Sequence, residues 1–217
     1  MEDEDNDKSQ YQSFIQQLKT KTMKRLFCLT LISATMLSIY AQDRKVDINP
    51  LAIEYNDLAT KQILVQNYDS ALVLINKALS LDGNYTLGYS NKVGIYVGLK
   101  DFKKALIAAD KLIEIDPHYP DGYGMAGGIC DIMGDTIMAF DYYKRGISCY
   151  DEKNLKANDP KQLITNRAYR ACLLRLIGKE DEGKKELEKL KAENPDNFAF
   201  DQLLKLDRQT YLKSLPK

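Results

Sequence analysis

A spacing of 34 residues dominates the sequence between Ala52 and Glu152. An alanine and a tyrosine each recur at this interval in three successive copies, as Ala71, Ala105 and Ala139 and as Tyr55, Tyr89 and Tyr123. Each copy contains two apolar stretches of helical period separated by a polar or glycine-containing turn. A fixed period of this length predicts helical hairpins that stack, because one hairpin cannot bury both of its faces alone.

The period, the aromatic positions and the small alanines resemble those of the tetratricopeptide repeat. In that family a helix A and an antiparallel helix B form each repeat. The resemblance extends over about residues 50–197. It implies an all-α fold, a right-handed superhelical solenoid of antiparallel helix pairs with a C-terminal capping helix. The expected segments are a lead-in at 42–51, repeats at 52–85, 86–119 and 120–153, an insertion or linker at 154–163, a degenerate fourth repeat at 164–197 and the capping helix at 198–217.

The ends of the helices follow from glycine and proline. The first helix is expected to begin near Pro50, and Gly83 is expected to end the second helix in a left-handed conformation. In the fourth repeat Gly178 and Pro195 are spaced as Lys100 and Pro117 are in the second, and Gly183 replaces the alanine. The pattern therefore predicts a fourth helix pair despite its weaker similarity.

Residues 23–41 have the layout of a cleaved secretory signal peptide. Met23 precedes two basic residues, an apolar run from Leu26 to Tyr40, and Ala41. The run of about 15 residues is shorter than the roughly 20 that a membrane-spanning helix needs. Since a signal peptide stands at the extreme amino end, residues 1–22 are interpreted as a non-native extension upstream of the true start. The alternative, in which Met1 is the start, leaves a short internal anchor.

The charge balance and the scarcity of catalytic side chains argue against several functions. The chain has 31 basic and 31 acidic residues, so it has no net field for nucleic acid or anionic lipid. Its single histidine, His118, lies in an expected turn, and no close pair of cysteines or histidines suggests a metal site. We therefore expect no catalytic residue, cofactor or metal. Cys130, Cys149 and Cys172 follow the signal segment; buried thiols are the preferred interpretation, and a Cys130–Cys172 disulfide is the alternative.

The resemblance also indicates where a partner would bind, since helix A lines the inner surface of such solenoids. Ten residues match that surface, and we call them the helix-A stripe: Asn56, Thr60, Ile63, Ser90, Asn91, Gly94, Val97, Gly124, Gly128 and Asp131. They are small and uncharged apart from Asp131. Two interpretations of the glycines stay open, either a floor cleared for a peptide backbone or closer packing between neighbouring helices.

These features predict a non-catalytic scaffold of the bacterial cell envelope that binds a protein or peptide partner along the helix-A stripe. Recognition of a terminal carboxylate is disfavoured, because the lysine and arginine that such repeats use are missing from the stripe and Lys92 falls on the packing side. The alternatives are a self-associating structural repeat protein or an envelope assembly factor. An enzyme has the least support.

Overall fold

Ten α-helices joined by short turns make up residues 48–215, the part of the chain that the computed structural model describes. No β-strand occurs in this part. The expected extension and signal peptide, residues 1–41, and most of the lead-in lie outside it. The helices are α1 (Pro50–Leu64), α2 (Tyr68–Leu81), α3 (Thr86–Gly98), α4 (Phe102–Ile115), α5 (Pro120–Met133), α6 (Thr136–Lys156), α7 (Pro160–Leu176), α8 (Glu180–Glu193), α9 (Ala199–Leu204) and α10 (Arg208–Ser214).

The first eight helices form four pairs, α1–α2, α3–α4, α5–α6 and α7–α8, and the second helix of each of the first three pairs also packs on the first helix of the next. This arrangement confirms the predicted all-α solenoid of antiparallel helix pairs. The first helix begins at Pro50 as expected, and the Asn49 side chain accepts a hydrogen bond of 3.0 Å from the Leu51 N–H. Within residues 48–215, none of the helices combines the length and apolarity needed to cross a bilayer.

The turn inside each pair places one residue in the left-handed backbone region. These residues are Gln66, Lys100, Gly134 and Gly178, with φ values of 58°, 59°, 84° and 86°. In the first three pairs the next residue, an asparagine or aspartate, accepts a hydrogen bond from a backbone N–H in the first turn of helix B. The same two-residue device therefore reverses the chain in each of the first three repeats.

The expected left-handed conformation of Gly83 is wrong. Helix α2 ends at Leu81, and the C-cap residue Asp82 is extended, with φ −143°. The Asp82 carboxylate accepts a hydrogen bond of 3.1 Å from the Asn84 N–H, which stabilises the connection between pairs without a left-handed residue. The left-handed glycines, Gly134 and Gly178, belong to turns within pairs.

Small residues at the crossing of the two helices permit close approach within each pair. Ala71, Ala105 and Ala139 are fully buried. At the equivalent Gly183, an added methyl group would lie 2.4 Å from the Ala171 carbonyl oxygen, so even alanine does not fit there. The substitution of glycine for alanine in the fourth repeat is therefore a consequence of closer packing.

The stretch predicted as an insertion or linker at 154–163 is largely helical. Helix α6 has 21 residues and continues to Lys156, and α7 begins at Pro160. The added turns are held by α7, because the rings of Tyr150 and Tyr169 stack with centroids 6.2 Å apart and Arg170 pairs with Asp151 at 2.5 Å. The extra residues thus lengthen helix B of the third repeat.

The expected capping helix at 198–217 is two short helices. In α9, Phe200 packs against Ala168, Ala171, Leu187 and Leu190 and so covers the last pair. The buried Arg175 donates hydrogen bonds to the carbonyls of Leu203 (2.6 Å) and Leu204 (3.3 Å) where α9 ends. Asp207 then accepts a hydrogen bond of 2.6 Å from the Thr210 N–H and caps the start of α10.

Because Gly134 is left-handed and has open space around it, Gly134→Ala introduces backbone strain without a steric clash. We expect it to lower the free energy of unfolding by about 1 kcal/mol. Lys100→Gly should act in the opposite direction, since glycine adopts a φ of 59° without steric cost. Urea denaturation monitored by circular dichroism measures both changes.

Gly83→Ala is the matched control, because the φ of Gly83 is not positive and an added methyl group meets only the Leu79 carbonyl oxygen at 4.0 Å. Its effect should be small. Equal destabilisation by the Gly83 and Gly134 substitutions would contradict the assignment of the left-handed turn.

The candidate binding surface along the A helices

Polar side chains of the helix-A stripe connect α1 to α3. The Asn91 amide donates a hydrogen bond of 2.8 Å to Asn56 Oδ1 and one of 3.4 Å to Thr60 Oγ1. Thr60 in turn donates to the Asn56 carbonyl at 3.0 Å. Asn56 is buried, whereas Thr60 and Asn91 are half-buried. These three predicted residues therefore lie together as a neutral polar cluster across the first two repeats.

The glycines of α3 and α5 divide into open and packed positions. A methyl group built on Gly94 has no neighbour within 4 Å, and Gly94 is exposed. At Gly98 the same methyl group would lie 2.4 Å from the Tyr68 ring, and at Gly127 it would lie 2.4 Å from the Tyr143 ring. Gly98 and Gly127 are therefore packing glycines, while no contact with another described segment explains Gly94.

The remaining stripe residues on α1 and α3 are buried or half-buried and contact the core. Ile63 packs against the buried cluster of the first repeat, and Val97 packs against the cluster between the second and third repeats. The buried Ser90 donates a weak hydrogen bond of 3.8 Å to the sulfur of Met125 on α5. Of these three, none presents a fully exposed side chain.

Asp131 is the charged member of the stripe, and its side chain is completely buried. Tyr143 donates a hydrogen bond of 2.8 Å to Asp131 Oδ2. Arg208 on α10 donates to both carboxylate oxygens, at 3.0 Å and 3.3 Å. A buried carboxylate is costly unless it is paired and hydrogen-bonded, and here both conditions are met.

Helix α10 also covers Gly128. A methyl group on Gly128 would lie 3.1 Å from the Tyr211 hydroxyl, which is itself 3.2 Å from the Tyr143 hydroxyl. Burial raises the pKa of Tyr211 to about 12 and that of Tyr143 above its ordinary value, so both hydroxyls stay protonated at neutral pH. Gly124, on the same helix, faces Leu173 of α7 at 3.9 Å. The stripe is therefore open at Gly94 and covered by the chain itself at Gly128 and Asp131.

Arg208 and Tyr211 were not predicted from the sequence as part of this surface. Asp131 carried a signal for them, since a lone charge on an otherwise neutral stripe needs a cationic partner if it is buried. Periodicity could not identify that partner, because Arg208 lies 77 residues away from Asp131.

Lys92 lies away from the stripe, as expected. It donates a hydrogen bond of 2.8 Å to Asn76 Oδ1 on α2, and burial lowers its pKa. A surface that binds a carboxylate would present cations, whereas the stripe presents mainly amides, hydroxyls and glycines.

The cysteines and the histidine do not form a catalytic arrangement within the described residues. Cys130, Cys149 and Cys172 are free thiols. Burial raises the pKa of Cys130 to about 11 and of Cys172 to about 12, and burial also raises the pKa of Cys149. His118 is exposed and pairs with Glu152 at 3.2 Å. In the described part, no three ligand-type side chains are placed to hold a metal ion.

Comparison with known proteins agrees with this geometry. Residues 88–119 match the family described as Tetratricopeptide repeat. No curated protein matches the chain significantly. The fold is similar to that of PilW, a widely conserved type IV pilus biogenesis factor, with a TM-score of 0.52, 18% identity and 76% of each chain covered. It is also similar to a tetratricopeptide repeat protein from Parabacteroides merdae, with a TM-score of 0.50, 20% identity, and 94% of this chain and 73% of that chain covered.

The matched segment coincides with α3 and α4, and the same pairing of helices recurs on both sides of it. The two similar structures, both below 25% identity, support the fold alone. Residues 88–119 therefore form a tetratricopeptide repeat, within a fold of the tetratricopeptide repeat type.

Proposed function

We propose that the protein is a non-catalytic scaffold of the bacterial cell envelope that binds a protein or peptide partner along the helix-A stripe. The proposal rests on the open space beside Gly94, where an added methyl group would have no neighbour within 4 Å. Glycine inside a helix costs about 1 kcal/mol relative to alanine, and at Gly94 no close neighbour among the described residues offsets that cost. Access for a ligand backbone is the remaining advantage of a missing side chain at this position.

The chemistry beside Gly94 favours an uncharged ligand group. Asn91 and Thr60 are half-buried, and their side chains carry both donors and acceptors of hydrogen bonds. Neutral amides and hydroxyls complement the N–H and C=O groups of a peptide backbone. An extended segment of the partner crossing the stripe near Gly94 suits this surface best.

Replacement of Gly94 by leucine tests this site. The side chain would occupy open space above α3, and the higher helix propensity of leucine should leave the thermal melt unchanged or slightly raised. We expect Gly94→Leu to weaken affinity capture of the partner from an envelope extract by at least about tenfold, or 1.4 kcal/mol. Quantitative mass spectrometry of the captured proteins provides the measurement.

Two variants control for other effects of the added leucine. Gly94→Ala adds a single methyl group and should retain most of the capture. Lys103→Leu puts the same side chain at an exposed position of α4, outside the stripe, and should capture the partner as the wild type does. If Gly94→Leu melts as the wild type does and captures the partner equally well, the partner does not bind at Gly94.

The envelope location rests on residues 23–41, which lie outside the described part of the structure. Their basic, apolar and small-residue order is the pattern of a signal peptide. Expressed from Met23 in a bacterial host, the chain should be exported and cleaved after Ala41, giving a mature protein that begins at Gln42. Intact-mass analysis of the periplasmic fraction checks this, and a full-length cytoplasmic product would contradict it.

Self-association is a second candidate, favoured by exposed apolar side chains on the first helix. Leu51 and Leu58, seven residues apart on α1, are 54% and 39% exposed, and Val65 just after the helix is 70% exposed. Such side chains would be covered if two copies met through their first repeats. Sedimentation over a range of concentrations distinguishes the candidates, since a strict monomer eliminates this one.

A further inference from the structure

Helix α10 is held on the third repeat mainly by two side chains three residues apart. Arg208 reaches Asp131, and Tyr211 lies over Gly128, whereas Gln209, Thr210 and Lys213 are exposed. The helix has seven residues, and isolated helices of that length are unstable in water. Its helical structure therefore depends on docking.

The receiving site is shaped for a guanidinium group. Arg208 donates to both Asp131 oxygens and, at 2.6 Å, to the Leu176 carbonyl, and its Cζ lies 4.6 Å from the centroid of the Phe140 ring. A planar group with several donors satisfies the carboxylate, the carbonyl and the ring face together, which an ammonium group cannot do as well. The chemistry at this end of the site selects arginine.

The second part of the site accepts an aromatic ring. Tyr211 is 4% exposed, and its hydroxyl lies close to Gly128 and to the Tyr143 hydroxyl. A larger residue at 128 would displace this ring. A guanidinium and a ring on one face of a short helix, at positions i and i+3, therefore fill both parts together.

The position of α10 does not serve the exposed end of the solenoid. The last pair is covered by α9, through Phe200 and its contacts with Leu187 and Leu190. The side chains that anchor α10 instead contact α5 and α6 of the third repeat and the end of α7. The chain thus places a short helix on the part of the helix-A stripe that contains Gly128 and Asp131.

We propose that Gly128, Asp131, Phe140 and Tyr143 form a binding site for a short helical segment carrying arginine and, three residues later, an aromatic residue. Helix α10 occupies this site within the chain, and a partner segment of the same chemistry replaces it. The inference rests on the proposed function, since it names the class of partner segment for the C-terminal half of the stripe. Displacement of α10 then controls access to that half.

A peptide with the sequence of α10 tests the proposal on the full-length chain. The probe is fluorescein-labelled DRQTYLKSL, residues 207–215, and the measurement is fluorescence anisotropy. In the wild type the site is occupied, which lowers the apparent affinity by the fraction of molecules that are open. Arg208→Ala combined with Tyr211→Ala should release α10 and raise the affinity for the peptide by at least about tenfold.

Three controls define the contacts. Addition of Asp131→Asn to the released variant should abolish peptide binding, because the carboxylate that holds the guanidinium is gone. A peptide with alanine at the arginine and tyrosine positions should not bind. The double variant Gln209→Ala with Lys213→Ala, at exposed positions of α10, should behave as the wild type does.

The proposal fails if the released variant is folded and binds the peptide no better than the wild type, or if Asp131→Asn leaves binding unchanged. It also fails if release of α10 abolishes the cooperative melt, because α10 would then be a structural cap. These failures are distinct from failure of the proposed function. If Gly94→Leu loses capture of the partner but the released variant does not bind the peptide, this inference is overturned and the proposed scaffold function is retained.

Discussion

The closeness of the two helices in each pair is the constraint on which the rest of the structure depends. Alanine at 71, 105 and 139 is fully buried at the crossing, and the fourth pair is tight enough to require Gly183. Close crossing makes each hairpin thin, so its outer surfaces stay apolar and need neighbours. The clusters between successive pairs supply them, with buried rings such as Tyr123 and Tyr143 filling the larger gaps. Stacking thus follows from small residues at four positions.

The helix-A stripe differs between the repeats: it is open at Gly94 and covered by α10 at Gly128 and Asp131. Across α1 and α3 the surface is neutral, polar and open at Gly94. On α5 a buried carboxylate changes the energetics, since Asp131 requires a cation once it is removed from water. Arg208 meets that requirement and brings α10 with it. This charge and the contacts of Tyr211 with Gly128 and Tyr143 together hold α10 on the third repeat.

Most of the repeat architecture could be predicted from the sequence, because it is encoded locally. The 34-residue period, Pro50 at the first helix start, Gly178 at a turn and Gly183 at a crossing each reflect contacts within one hairpin or between neighbours. One local expectation was wrong: Gly83 is not left-handed, because Asp82 stabilises that connection. The extra residues after the third repeat continue α6, because Tyr150 and Asp151 contact partners on α7.

The candidate surface was less predictable. Its residues could be chosen by position, but whether a glycine is open or packed depends on which ring reaches it, and Gly98 and Gly94 look alike in the sequence although Tyr68 covers the first. The docking of α10 was beyond pattern reasoning, because it joins elements that no period relates. The lone charge of Asp131 was the available clue, and it indicated that a cation was needed without identifying Arg208.

The separation between Asp131 and Arg208 has a consequence for synthesis on the ribosome. At about 5–20 residues per second, the 77 residues between them take roughly 4–15 seconds to translate. The third hairpin can assemble during this interval, while its carboxylate still lacks the guanidinium that later neutralises it. Until Arg208 is synthesised, Asp131 lacks the partner that pairs with it in the folded chain.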